Sequence, residues 1–390
     1  MNLSKCPVCA GASLTSEYFV PSTPVRTATV YEKSGPVARG EVRLASCATC
    51  GLVFNASFNP LTQDFSEGYE EAQDFSPVFR GYAHDLAQRL TDRYDLRGKR
   101  VLEIGCGKGG FLGLLCRVAG ATGVGIDPAS DPGRIPEDLR GTIEVIKAEY
   151  GDEHRNLVDQ ADFVCCRHTL EHIFDPVDLL GRLRDHLADR LDVPLLVDVP
   201  SGDHVLRGGG FWDVYYEHCM YYTDEAFASM LGRCGFEVRE MWREFEGQYL
   251  LAEAFPRERS ELQVPDAAEF LAPASRRMME KVDGWGKWLR ESSLQKSIVL
   301  WGSGSRSVGF LSAVPGASRI TGVVDINPYR AGKFMPGFPE PILSPAGLAE
   351  RGCDAVIVMN PAYREEIAAN LRELGLDSEV WTVDQPPARA

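Results

Sequence analysis

The stretch Val101-Leu102-Glu103-Ile104-Gly105-Cys106-Gly107-Lys108-Gly109-Gly110-Phe111-Leu112 decides the fold of this chain. Residues 100–104 are predicted to form a short buried strand that ends beside the acidic Glu103, and an apolar helical pattern begins at Phe111. Glycines let the backbone turn tightly and approach a ligand without a Cβ in the way. The helix N-terminus adds free N–H groups and a partial positive charge. The stretch therefore predicts a strand, a ligand-binding glycine loop and a helix.

Two kinds of cofactor fit this glycine loop. Gly105, Gly107 and Gly110 satisfy the G-x-G-x-x-G spacing of a dinucleotide-binding loop. Gly105, Gly107 and Gly109, two positions after an acidic residue, resemble instead the S-adenosylmethionine (SAM) loop of a class I methyltransferase. The glycines alone leave both alternatives open.

The segment after the fourth predicted strand favours SAM. That strand, residues 162–166, leads into Arg167-His168-Thr169-Leu170-Glu171-His172-Ile173-Phe174-Asp175-Pro176, which resembles the L-E-H-x-x-D-P segment of class I methyltransferases. The second strand, residues 122–126, ends in Asp127, where a ribose diol would be bound in either fold. An α/β sheet without a cofactor is the alternative, but three loops at carboxyl strand ends agree. The cofactor residues are predicted to be Glu103, Gly105, Cys106, Gly107, Asp127, Arg167 and His168.

Length and charge limit the kind of protein. The 390 residues suffice for two or three domains, and the net charge of −15 argues against a nucleic-acid partner. No apolar run has the length of a membrane span, and the first residues lack the apolar core of a signal peptide. We therefore expect a cytoplasmic protein that acts on a small molecule, as a monomer or homodimer, and has no membrane partner.

The first fifty residues contain two C-x-x-C pairs, Cys6 with Cys9 and Cys47 with Cys50. Each pair can place two thiolates on one metal ion, and four cysteines complete a tetrahedral site with no open position. The spacing therefore predicts a structural zinc ion. A redox dithiol is the alternative, but it does not explain two pairs. Residues 27–44, between the pairs, are predicted to form a hairpin of strands.

Alternating strands and helices predict a mostly parallel sheet with its site at the carboxyl ends of the strands. The predicted strands are residues 100–104, 122–126, 143–147, 162–166 and 194–199, followed by an antiparallel pair at 236–244 and 248–255. After Pro200 the chain is predicted to remain a loop for about twenty residues, and loops of this length are often functional.

The far end of that loop carries Tyr215-Tyr216-Glu217-His218-Cys219-Met220-Tyr221-Tyr222. This segment resembles the Y-x-E-H-x-x-Y-F segment of the three-domain, SAM-dependent sugar C-methyltransferases of deoxysugar pathways. The resemblance covers essentially the whole chain. It implies an α/β fold with a zinc-binding domain at 1–72, a class I core at 73–256 and a second Rossmann-like domain at 257–390 that helps to bind the acceptor.

The resemblance also implies the catalytic residues. His218 matches the family's general base, and Tyr215 and Glu217 match the residues that assist it. A histidine suits this chemistry because removing a proton next to a carbonyl group needs a base with a pKa near neutrality. Tyr69 is predicted either to close over the substrate or to pack at a domain junction.

The C-terminal third is predicted to contain a long helix and a second α/β pattern, with strands at 298–301, 323–325 and 355–359. In the setting of the resemblance, Arg306, Arg330 and Lys333 would suit a diphosphate. A domain that only packs is the alternative.

We expect C-methylation of a sugar nucleotide, a keto-deoxysugar of natural-product or polysaccharide biosynthesis. Two other functions stay open. One is SAM-dependent O- or N-methylation of a non-sugar metabolite, and the other is a non-catalytic scaffold with the same fold.

Overall fold

The computed structural model describes residues 3–65, 68–260, 264, 267–292 and 296–387, and these residues form three β-sheets. The N-terminal sheet begins with three antiparallel strands, β1 (Leu14–Pro24), β2 (Arg39–Cys47) and β3 (Val53–Asn55). The two C-x-x-C turns flank the hairpin of β1 and β2, so the four cysteines lie at one end of this sheet.

The central part of the chain, residues 77–256, alternates between strands and helices, as the sequence predicts, and all its strands except β9 form one sheet. Its elements are α1 (Pro77–Tyr94), β4 (Arg100–Ile104), α2 (Gly110–Ala119), β5 (Thr122–Ile126), β6 (Ile143–Ile146), α3 (Arg155–Gln160), β7 (Phe163–Arg167), α4 (Pro176–Leu187), β8 (Leu195–Pro200), α5 (Gly202–Gly208), β9 (Met220–Tyr221), α6 (Asp224–Arg233), β10 (Phe236–Glu244) and β11 (Tyr249–Pro256). The strand order is β10-β11-β8-β7-β4-β5-β6. Strands β4 to β8 run parallel, and β10 and β11 add the predicted antiparallel edge. The class I fold is confirmed.

The order of the central strands determines where a ligand can bind. From β4 the chain proceeds through β5 and β6 on one side and then returns to β7 on the other. The loops after β4 and β7 therefore diverge and leave a crevice at the carboxyl ends of these two strands. Both predicted cofactor loops, the glycine loop and the segment after Arg167, begin there.

The C-terminal part has its own parallel sheet. Its elements are α7 (Ala268–Ser292), β12 (Ile298–Trp301), α8 (Ser305–Ala313), β13 (Gly322–Val324), α9 (Pro345–Arg351), β14 (Ala355–Val358), α10 (Arg364–Glu373) and β15 (Glu379–Thr382), in the strand order β13-β12-β14-β15. The second Rossmann-like pattern is confirmed, and β15 is a strand that the sequence reasoning missed. The fully buried Trp285 of α7 donates a hydrogen bond from its ring nitrogen to the carbonyl of Val383 at 2.8 Å.

Strand β9 belongs to the central part of the chain but pairs with the N-terminal sheet. Met220 lies opposite Phe54, and Tyr221 lies opposite Val53, in antiparallel register. The main chain of Asn55 also donates to the carbonyl of Cys219 at 2.9 Å. The segment that carries His218 therefore leads directly into an added strand of the N-terminal sheet.

Two local predictions were wrong. The hairpin was expected within residues 27–44, but its strands are β1 and β2, and Thr27 lies outside them. Main-chain groups near Thr27 bond instead to distant parts of the chain; for example, the N–H of Tyr31 donates to the carbonyl of Phe334. The loop expected after Pro200 contains helix α5, because the hydroxyl of Ser201 caps its N-terminus by accepting from His204 N at 3.2 Å.

Among the described residues, no helix has both the length and the apolar character needed to cross a membrane.

Candidate active site

One large cleft lies at the carboxyl ends of β4 and β7. Its volume is about 1340 Å³, and all three parts of the chain line it. The N-terminal part contributes Ala28, the core contributes the glycine loop and His218, and the C-terminal part contributes Arg306. Small-molecule pockets usually enclose about 300–1,000 Å³. The cleft therefore has room for a cofactor and a second ligand together.

The glycine loop has the geometry that a ligand-cradling loop requires. Gly105 and Gly107 both have a positive φ, 76° and 55°, a region in which residues with a Cβ are strained. A Cβ added to Gly105 would lie 1.9 Å from Oγ1 of Thr169 in the segment after β7. Only glycine lets the two cofactor loops approach so closely, and the cradle fits the SAM loop that the sequence predicts.

Glu103, the acidic residue before the glycine loop, is buried with one oxygen unpaired. Its side chain is 2% exposed, and Oε2 has no hydrogen-bond partner among the described residues. Burial raises the pKa of Glu103 to about 7, although the nearby Arg167 favours the charged form. An unpaired buried acceptor is costly. A cationic or hydrogen-bond-donating ligand in the cleft, such as SAM, would satisfy it.

Asp127 lies at the end of β5, where the sequence predicts the diol-binding acid. Its Oδ2 accepts from Gly107 N at 2.9 Å, and its Oδ1 accepts from Ala129 N at 2.6 Å. Burial raises its pKa, and these two hydrogen bonds oppose the rise. Each carboxylate oxygen retains a second lone pair. Asp127 thus joins the glycine loop to the turn after β5 and keeps acceptor capacity for a ribose diol.

Cys106, between the two glycines, is a buried packing residue of the loop. Its Sγ lies 2.5 Å from the position that a Cβ on Gly125 would occupy, so Gly125 leaves the space that this side chain fills. Burial raises the pKa of its thiol. Cys106 thus packs between the glycine loop and Gly125 of β5, and it also lines the cleft.

Arg167 and His168, the last two predicted cofactor residues, follow the fourth core strand. Arg167 donates from Nε and Nη2 to Oδ2 of Asp198 at 3.0 and 2.8 Å, and its guanidinium lies 3.8 Å from the ring centroid of Phe111. This residue holds the ends of β7 and β8 together. His168 has a φ of 48°, which is uncommon outside glycine, and its main-chain N–H donates to Asp198 O at 2.7 Å. Both residues line the cleft.

His218, the predicted base, faces the same cleft and is 7% exposed. Its Nε2 lies 2.7 Å from the hydroxyl of Tyr215, within hydrogen-bonding distance. Burial lowers the pKa of His218 well below its usual value, and the nearby His172, His168 and Arg306 lower it further. The imidazole is therefore neutral at pH 7, which is the form that accepts a proton, but its pKa lies below the near-neutral value expected from the sequence.

Two further polar side chains meet His218 that the sequence reasoning did not assign to catalysis. A carboxylate oxygen of Glu171 and one ring nitrogen each of His172 and His218 all lie within 4.8 Å of one another. Nδ1 of His172 lies 3.0 Å from the carbonyl oxygen of Glu217, and Oε2 of Glu171 is buried without a hydrogen-bond partner in the described part of the chain. Burial raises the pKa of Glu171 well above its usual value. The L-E-H motif that contains Glu171 and His172 is the sequence signal that could have indicated these two residues.

Glu217 is held by the N-terminal part of the chain. Its Oε2 accepts from Thr27 N at 2.7 Å, from the hydroxyl of Thr27, and from Ala28 N at 3.1 Å. Burial raises the pKa of Glu217, and these hydrogen bonds oppose the rise. These hydrogen bonds hold the loop at residues 27–28 against the His218 segment. Glu217 therefore helps to position that segment.

Tyr69 lines the same cleft as the predicted base. Its ring packs edge-on against Phe65 with the centroids 5.2 Å apart, and burial raises the pKa of its hydroxyl well above the usual value. The phenol is therefore protonated at neutral pH and can act as a hydrogen-bond donor.

The four predicted metal-binding cysteines come together. Cys6 and Cys50 have their sulfurs 3.6 Å apart, Cys9 and Cys47 have theirs 3.5 Å apart, and all four sulfurs lie within 4.8 Å of one another. Tetrahedral zinc with Zn–S bonds of about 2.3 Å requires sulfurs about 3.7 Å apart. The four thiols therefore fit one tetrahedral ion.

Of the three C-terminal cations, Lys333 lies outside the cleft and pairs with Glu32 at 3.2 Å. Arg330 lines the cleft, but it is buried and donates to Ser303 Oγ at 2.6 Å and to the carbonyls of Ala28 and Ser303. Arg306 also lines the cleft. It pairs with Asp213 at 2.6 Å, and its Nη1 has no hydrogen-bond partner among the described residues. Arg306 alone keeps a free donor for an acceptor molecule.

Comparison with known families matches both α/β parts of the chain. Residues 77–241 match the family described as a methyltransferase domain, and residues 278–383 match the family described as a C-methyltransferase C-terminal domain. The chain is 26% identical to the C-methyltransferase NovU of Streptomyces niveus over 305 residues, which cover 73% of this chain and 70% of NovU.

Two other methyltransferases match shorter shares of the chain. The ubiquinone biosynthesis O-methyltransferase of Pseudomonas putida W619 is 31% identical over 122 residues, which are 29% of this chain and 49% of that protein. The magnesium protoporphyrin IX methyltransferase ChlM of Synechocystis PCC 6803, solved with bound SAH, is 18% identical with a TM-score of 0.36 and covers 48% of this chain and 90% of its own.

The close approach of Gly105 to Thr169 predicts a specific loss of cofactor binding. We expect Gly105→Ala to lower the free energy of unfolding by about 1–2 kcal/mol for the left-handed backbone and by about 1–3 kcal/mol more for the clash. We also expect it to weaken SAM binding at least tenfold, measured by calorimetry.

Gly98→Ala is the matched control for this variant. Gly98 has a φ of 71°, but a Cβ there would meet nothing within 4 Å. Gly98→Ala should therefore cost only the backbone strain and leave SAM affinity unchanged. Equal effects of the two variants on SAM affinity would contradict the assigned cradle.

Proposed function

We propose that this SAM-dependent methyltransferase, whose C-terminal part matches a C-methyltransferase domain, methylates a carbon atom of a keto-deoxysugar carried by a nucleotide. The observation that carries the proposal is the position of a neutral, buried imidazole in the same cleft as the glycine loop. A carbon acceptor needs such a base, because a C–H bond must lose its proton before carbon can attack a methyl group.

The residues around His218 support this order of events. The His218–Tyr215 pair takes the proton from the carbon next to the carbonyl group, and the electrons of the C–H bond form an enolate. The hydroxyl of Tyr69 and the carboxyl group of Glu171, whose pKa burial raises, line the same cleft and are the donors that we assign to the enolate oxygen. When bound, SAM supplies an electrophilic methyl group that the carbon attacks in line, so positioning provides most of the rate.

The size and lining of the cleft support a nucleotide-linked acceptor. The volume of about 1340 Å³ exceeds what one cofactor needs, and the C-terminal part also contributes residues to the lining of the cleft. Nη1 of Arg306, one of these residues, is a free guanidinium donor. Guanidinium groups bind phosphate oxygens well, so we assign Arg306 to the anionic part of the acceptor.

We further propose a structural zinc ion on Cys6, Cys9, Cys47 and Cys50, and the domain limits 1–72, 73–256 and 257–390. The paired spacing and the distances between the four sulfurs support zinc. The role of the ion would be to fix the N-terminal sheet, to which strand β9 is paired.

The proposed reaction predicts a carbon-bound methyl group in the product. The enzyme is incubated with SAM labelled with ¹³C in the methyl group and with a panel of nucleoside diphosphate keto-deoxysugars, and the product is examined by NMR. We expect a C–CH₃ signal coupled to a sugar carbon. His218→Ala should abolish this signal and bind SAM with unchanged affinity, because His218 acts on the acceptor.

Surface substitution Lys287→Ala provides the control, since this side chain is exposed and does not line the cleft. A label found on oxygen or nitrogen would replace the proposal with O- or N-methylation, and full activity of His218→Ala would remove His218 as the base.

Zinc removal is expected to reduce turnover by disturbing the His218 segment. Metal analysis should find one zinc per chain in the wild type and none in Cys47→Ser, and the variant should lose most of its activity and keep its SAM affinity. Cys353→Ser, at a cysteine remote from the cluster, is the control. Wild-type protein without zinc, or a zinc-free variant with normal turnover, would contradict the assigned role.

A further inference from the structure

The segment at residues 68–76, which we call the strap, crosses the cleft between the N-terminal sheet and helix α1. At its start, Val30 N donates to Gly68 O at 2.9 Å, and Thr29 forms a β-bridge with Tyr69. At its end, the hydroxyl of Ser76 caps α1 by accepting from Phe79 N at 3.2 Å. The strap is therefore fixed at both ends, and the side chains between them have defined positions.

Glu70 fixes the middle of the strap to two other parts of the chain. Its carboxylate pairs with Arg134 of the core at 2.5 Å and accepts from Nδ2 of Asn327 of the C-terminal part at 3.0 Å. Arg330 donates to its main-chain carbonyl. Glu70 is 7% exposed, so these contacts are buried and hold the strap firmly.

Glu71, the next residue, lies directly over the glycine loop. Its Oε1 is 2.5 Å from the position that a Cβ on Gly107 would occupy. Its Oε2 has almost no accessible surface and no hydrogen-bond partner among the described residues. Because Gly107 has no side chain, it leaves space for the Glu71 carboxylate inside the predicted cofactor site. One oxygen of this carboxylate, Oε2, is available to accept a hydrogen bond from a ligand.

The surroundings of Glu71 do not neutralise it. The nearest carboxylates, Glu70 and Asp127, repel its charge, and burial raises its pKa to about 7. Lys108 is the cation that opposes this rise, but its Nζ is engaged with the carbonyl of Ala129. A buried carboxylate without a close cation is unfavourable unless a ligand supplies one. SAM carries two positive charges, a sulfonium and an ammonium group.

We propose that Glu71 is a cofactor-binding residue, the carboxylate that pairs with the positive charge of SAM above the glycine loop. The strap thereby becomes one wall of the donor site, and its fixation by Glu70 places the carboxylate correctly. The inference rests on SAM dependence and is independent of which acceptor is methylated.

Calorimetry with three ligands tests this inference without turnover. SAM has both cationic groups, S-adenosylhomocysteine has the ammonium group alone, and 5′-methylthioadenosine has neither. We expect Glu71→Gln to weaken SAM binding about tenfold or more and to leave 5′-methylthioadenosine binding unchanged. The loss of S-adenosylhomocysteine affinity in Glu71→Gln shows which cationic group Glu71 pairs with. A loss equal to that for SAM indicates the ammonium group, and a smaller loss indicates the sulfonium group.

Asp85→Asn is the control, because it removes an exposed carboxylate on helix α1 that does not line the cleft. It should change SAM affinity less than threefold. Unchanged methylthioadenosine affinity in Glu71→Gln also shows that the variant is folded with an intact adenosine site. The proposal is overturned if Glu71→Gln binds SAM like the wild type, or if it loses affinity equally for all three ligands.

Discussion

The two-residue pairing between β9 and β3 is the constraint on which the rest of the candidate site depends. The His218 segment has little regular structure of its own, and its backbone is held by hydrogen bonds to the N-terminal sheet. Asn55 N donates to Cys219 O, and Asn59 N donates to the hydroxyl of Tyr216 at 2.9 Å. The N-terminal sheet therefore acts as the support for the proposed base, and this contact is the reason to expect that loss of the cysteine cluster would affect catalysis.

The glycine loop and the His218 segment give the cleft two regions of different charge. In the glycine-loop region, Glu103 and Asp127 present carboxylates to a ligand that carries positive charge. In the other region, neutral His218 and protonated Tyr215 face the position of the acceptor. This division suits a methyl transfer in which a cationic donor meets a carbon that becomes anionic only after it has lost its proton.

The core and the glycine loop could be predicted from the sequence because their signals are local. A strand, Gly105, Gly107 and a helix follow one another within about a dozen residues, and the spacing of the cysteines is equally local. The contacts of Glu217 could not be predicted, since its partner Thr27 lies 190 residues away in the sequence. The four residues of β15 were not predicted because pairing with a neighbouring strand decides whether they form a strand. Helix α5 was not predicted because a single hydroxyl, that of Ser201, caps its N-terminus.

The central claim is that His218 removes a proton from carbon before the methyl group moves. Exchange of that proton with solvent tests it most directly, with the accepted keto sugar nucleotide incubated in D₂O and S-adenosylhomocysteine present so that no methyl transfer follows. The account predicts that wild-type protein incorporates deuterium at the carbon that is otherwise methylated and that His218→Ala does not. Exchange at the same rate in both proteins, or none in a wild type that methylates the same carbon, would contradict it.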